Sequence, residues 1–113
     1  MVKRKKKEKK TFKVYCTYFP DNTYYIGFST KMGAAYDKYF GSSRHVLEYS
    51  GELRKETIAE YEKKSHARIA EFLLQWENRH DSDCLNDMIN VRLRMSHLSD
   101  FEPPAWKPNF SIS

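Results

Sequence analysis

The sequence predicts a small α/β (α+β) domain, and three stretches carry that expectation. Residues 14–19 and 23–28 are rich in β-branched and aromatic side chains and flank Pro20-Asp21-Asn22, the pattern of a β-hairpin. Residues 67–76 set Ala67, Ile69, Ala70, Phe72, Leu73, Leu74 and Trp76 along a broad helical arc, behind Ser65 as a helix-capping residue. Residues 53–61 alternate roughly, with Leu53, Thr57, Ile58 and Ala59 among Arg54, Lys55, Glu56 and Glu60. That alternation fits a third strand, although the Glu, Lys and Ala content also suits a helix.

A chain of 113 residues holds one domain with a modest core. Its formal charge of +5 is unevenly spread, because residues 2–10 carry seven Lys or Arg against Glu8 and leave the remainder nearly neutral. Such a run of like charge stays solvated and attracts polyanions by releasing their counterions. Residues 1–11 therefore read as a basic flexible arm, either solubilising or phosphate-binding. Cys16 and Cys84 show no metal-ligand spacing, which argues against structural zinc. With no bilayer-length apolar run and no apolar segment behind the basic start, the expectation is a reduced, soluble, intracellular and cytoplasmic protein.

Between the hairpin and residue 53, the small and polar residues 29–35 lead to Gly41-Ser42-Ser43, a turn able to cap a short helix over 44–49 and to present N–H groups to an anion. After the long helix, residues 78–83 form a polar turn, and Met88, Ile89, Val91, Leu93 and Met95 suggest a further helix over 87–98. Three prolines between Glu102 and Phe110 require an extended or turned tail over 99–113, with Trp106 and Phe110 either docked or free for a partner.

Lys13-Val14-Tyr15 and Tyr25-Ile26-Gly27 stand ten residues apart on the two hairpin strands. This pair resembles the two tripeptides of the GIY-YIG nuclease family, the second intact and the first with Lys-Val-Tyr in place of Gly-Ile-Tyr. Residues 12–86 are similar to that family throughout: the Gly41-Ser42-Ser43-Arg44 turn resembles an aromatic-Gly-Ser-Gly-Lys-like turn of one branch, and Asn86 follows Glu71 by fifteen positions, as an asparagine follows the family's metal-binding glutamate. The resemblance selects the strand over the helix for 53–61. It implies a GIY-YIG-like, three-stranded, mostly antiparallel sheet flanked by helices, within a nuclease domain over 12–98. Gln75 stands where an apolar residue commonly follows the glutamate by four.

The resemblance also implies a chemistry, that of small free-standing members from phage or mobile elements. Glu71 would hold Mg²⁺, with Mn²⁺ as a substitute, for hydrolysis of DNA phosphodiesters. Tyr15 would take the proton of the attacking water, Tyr25 would orient water or phosphate, and Arg44 would clamp the phosphate, with Lys31 as the reserve. Ser42, Ser43, His45 and Asn86 would complete the substrate contacts, and a homodimer or a partner protein would supply specificity. A free tyrosine ionises near ~10, so Tyr15 can be a base only where cations stabilise its phenolate. Two rival readings need no catalysis: a nucleic-acid-binding protein using the lysine arm and exposed tyrosines, and a protein-interaction factor using the Pro-Pro-Ala-Trp tail.

Overall fold

Strands β1 (Phe12–Tyr18) and β2 (Tyr24–Ser29) form the expected hairpin in a computed structural model that describes residues 10–41, 44–49, 51–86 and 100–110. The turn closes through Asn22 N–H donating to Phe19 C=O (3.1 Å) and Phe19 N–H donating to Thr23 C=O (2.9 Å). Asn22 sits at φ 65°, a left-handed conformation that asparagine tolerates better than most residues. Residues 54–61 form β3, which pairs antiparallel with β1 on its other side and gives the order β2-β1-β3. The expected sheet was mostly antiparallel; the observed three strands are antiparallel throughout, with one isolated parallel bridge between Tyr24 and Cys84.

Helices fill the connections. Five-residue α1 (Gly33–Asp37) begins in the small and polar stretch and ends past buried Tyr36, too short a segment for periodicity to register. Helix α2 spans Arg44–Leu47, and α3 runs over Lys64–Glu77. Ser65 does not cap α3. Lys63 occupies the cap position without a side-chain bond, because β3 ends at Tyr61 and the two-residue link brings the helix in at Lys64. The basic arm over 1–9, Ser42, Ser43, the expected helix over 87–98 and the last three residues lie outside the described residues.

The core lies between the sheet and α3. Val14, Cys16 and Tyr18 alternate onto one face of β1, join Tyr24 and Ile26 of β2, and meet Ala67, Ala70 and Leu74. Segment 101–110 closes this core. Trp106 donates from Nε1 to Glu56 Oε1 (2.9 Å), and the same oxygen accepts from the Tyr18 hydroxyl (2.6 Å). The Phe110 ring packs edge-on to Tyr18 (5.5 Å) and Tyr24 (5.9 Å). The tail residues Trp106 and Phe110 are thus docked on the body. We expect Trp106→Ala to cost about 3 kcal/mol in urea unfolding, through the lost ring and its hydrogen bond to Glu56. No helix among the described residues is long and apolar enough to cross a membrane.

Candidate active site

Register places both hairpin tyrosines on the sheet face opposite the core. Tyr15 faces Gly27 across the β1–β2 pair and Tyr25 faces Thr17, so the two side chains project to the same side, one diagonal step apart. On the β3 side the register shifts between Val14 and Tyr15, leaving Ile58 as an extra residue and setting Thr57 and Lys55 beside Tyr15 and Thr17. Tyr36 and Tyr39 close over this face, each meeting the Tyr15 ring edge-on at 6.2 and 5.9 Å.

Two glycines let the phenols converge. At Gly27 a Cβ would lie 2.5 Å from Tyr15 Cζ, so the missing side chain is the space across which the Tyr15 ring leans toward β2. At Gly41 a Cβ would meet Tyr25 Cε1 at 3.2 Å, Val46 Cγ2 at 3.2 Å and Tyr15 Oη at 3.3 Å, which makes the Gly41 backbone the meeting point of both rings and of α2. Gly41 adopts φ 130°, a conformation that L side chains rarely reach.

Glu71 stands on α3, in the other layer. One turn along α3, Gln75 is buried and donates from Nε2 to Ile26 C=O (3.1 Å). Asn86 takes the same residue from outside, accepting from Ile26 N–H (2.8 Å) and donating to Ile26 C=O (2.8 Å). Gln75, polar at a position expected to be apolar, thereby serves a strand-edge carbonyl and fixes the helix register that presents Glu71. The Glu71 carboxyl is part-buried, and burial pushes it up to about 7 against a weaker opposing pull from Arg68. Tyr15 is raised far above its ordinary value, first by burial and then by Tyr39, Tyr25 and the charge of Glu71. The Glu71 contribution is the smallest of these. At 1 % exposure Tyr15 is the floor of the site, while Tyr25 and Glu71 are more open.

Tyr15 and Tyr25 are brought together, whereas Glu71 belongs to α3, the helix packed on the other face of the sheet. The Lys31 Nζ lies 5.2 Å from the Tyr39 ring, which joins it to the same cluster, and half-buried His45 adjoins Val46 in α2. The Arg44 backbone opens α2 beside Gly41, while its side chain, Ser42 and Ser43 lie outside the described residues. Asn86 differs from the substrate contact expected of it, because both of its amide atoms are engaged by Ile26. Asn86→Ala is expected to lower stability by about 2 kcal/mol and to leave the KM for DNA unchanged; a raised KM at full stability would return Asn86 to the substrate.

Sequence reasoning missed Lys55. Its Nζ donates to the carbonyls of Tyr36 and Tyr39, lies 3.6 Å from the Tyr36 ring centroid and 5.9 Å from that of Tyr15, and its pKa is lowered by burial. Strand parity was the available signal, since Lys55 shares the Tyr15 face once β3 is accepted. Among the described residues no group of three His, Cys, Asp or Glu side chains is placed to hold a metal ion. A lone carboxylate still fits Mg²⁺, which keeps several waters and takes substrate phosphate as a ligand, and a carboxyl raised by burial gains from a cation nearby.

Searches against family models, curated proteins and solved structures found no match. The functional reading therefore rests on the geometry of this site.

Proposed function

We propose that the protein is a metal-dependent, GIY-YIG-like DNA endonuclease. The observation that carries this reading is the convergence of Tyr15 and Tyr25 at Gly41. Glu71 would hold Mg²⁺ or Mn²⁺, which would supply neutralisation of phosphate charge. Arg44, with Lys31 in reserve, would clamp the phosphate, and Ser42, Ser43 and His45 would complete the substrate contacts. Tyr25 orients the attacking water. Tyr15 accepts the water's proton as phenolate, the rare form of a phenol held protonated by its surroundings. The lysine arm adds sequence-independent affinity for the DNA backbone.

The test is nicking of supercoiled plasmid with Mg²⁺, Mn²⁺ or chelator. Metal-dependent conversion to open circles supports the reading. Salt-sensitive binding with no cut under any metal would make the protein a non-catalytic binder instead.

A further inference from the structure

Beside the Tyr15 cluster, on the β3 side of the same sheet face, lies a cleft of about 390 Å³. Tyr36 and Phe40 contribute aromatic rings to its lining, Leu53 an aliphatic side chain, Thr57 a hydroxyl, and Lys55 and Arg54 two cations, Arg54 also donating to Phe110 C=O (3.4 Å). The Tyr36 hydroxyl is hydrogen-bonded to Thr57 Oγ1 (2.7 Å), and Lys55 is held by the carbonyls of Tyr36 and Tyr39, so the lining is cross-braced. Asp37 adds a carboxylate, an acceptor for exocyclic amines. Aromatic and cationic groups around a space of this size suit a planar, hydrogen-bonding ring carried on an anionic chain.

Position narrows the ligand further. Tyr36 lines the cleft and also touches Tyr15, and Lys55 lines it while lying 5.9 Å from the Tyr15 ring. Cleft and phenols thus share Tyr36 and Lys55 as a common wall. We infer that the cleft seats one unpaired nucleobase of the strand whose phosphate lies at Tyr15 and Glu71. This rests on the nuclease reading for the identity of the strand, though the cleft itself binds without any cut. A paired base keeps its faces in the duplex stack, so the preferred DNA carries an unpaired nucleotide at the site.

The test is binding by the full chain, read by fluorescence anisotropy in chelator so that no cleavage occurs. Leu53→Trp, a half-buried position outside the catalytic cluster, fills the cleft. Affinity for a single-stranded oligonucleotide is expected to fall about tenfold and that for a blunt duplex to stay within twofold, as loss of one stacked base implies. Equal effects on both DNAs, or none on either, overturn the inference. Independently of any variant, titration of the wild type with deoxyadenosine monophosphate is expected to shift the Leu53 and Thr57 methyl resonances; shifts confined to other residues overturn it. Cleavage that persists with no strand discrimination removes the base cleft alone. Discrimination without cleavage removes the nuclease reading and leaves the cleft.

Discussion

Glu71→Gln is expected to abolish metal-dependent cleavage, by about a thousandfold or more, while DNA affinity in chelator changes little. On the proposed nuclease reading, the loss follows from removing the carboxylate that would hold the cation. Stability should move the opposite way. The folded carboxyl titrates at about 7 and the unfolded one near its ordinary 4.5, so the folded state binds the proton more tightly. The stabilising contribution is complete below about pH 4.5 and is lost as pH rises to about 7, amounting to ~2–3 kcal/mol. Wild type and Glu71→Gln should therefore melt together at pH 4, with the variant melting higher at pH 8. Parallel melting at every pH would mean that the carboxyl is not buried as described. Mg²⁺ should stabilise the wild type at pH 8 and leave the variant unmoved. The cleavage rate should climb steeply below pH 7, where Glu71 and Tyr15 must both lose protons, and with unit slope from pH 7 to at least 9, where only Tyr15 still does.

Gly27→Ala should be the second large effect, although the residue has no chemistry of its own. The added Cβ would stand 2.5 Å from Tyr15 Cζ and 3.0 Å from Cε1, so the ring must rotate away or the hairpin must open. Overpacking of this kind costs about 1–3 kcal/mol. Displacing a reacting group by an ångström costs about a hundredfold in rate. Cleavage and thermal melting of Gly27→Ala, measured with Tyr15→Phe and the double variant, separate the two. The rate losses should not add, because both substitutions disable one hydroxyl. Wild-type cleavage by Gly27→Ala would remove Tyr15 from the mechanism.

The hairpin was legible because its signals are local: β-branched and aromatic runs, a Pro-Asp-Asn turn, and an Asn able to adopt φ 65°. Helix α3 was legible through its apolar arc, but its start was not, since the backbone link from β3 and not a cap side chain sets it. β3 was ambiguous for a physical reason: no residue of it is fully buried, so Glu, Lys and Ala residues mask the alternation. The tyrosine pair could be placed from tripeptide spacing alone. Lys55, Tyr36 and Tyr39 could not, because their approach to Tyr15 depends on the β3 register and on the course of the chain through α1. Nor could the role of Gln75, whose partner is a backbone carbonyl forty-nine residues away.

The outer margin of β2 is occupied over its first half: Tyr24 N–H donates to Asp83 C=O (2.9 Å), Leu85 N–H donates to Tyr24 C=O (2.8 Å), and Asn86 and Gln75 take the Ile26 peptide groups. An edge so covered offers no ladder to an incoming strand. Two copies of this protein therefore meet an obstacle to joining their sheets through residues 24–26 of β2 into a continuous ribbon.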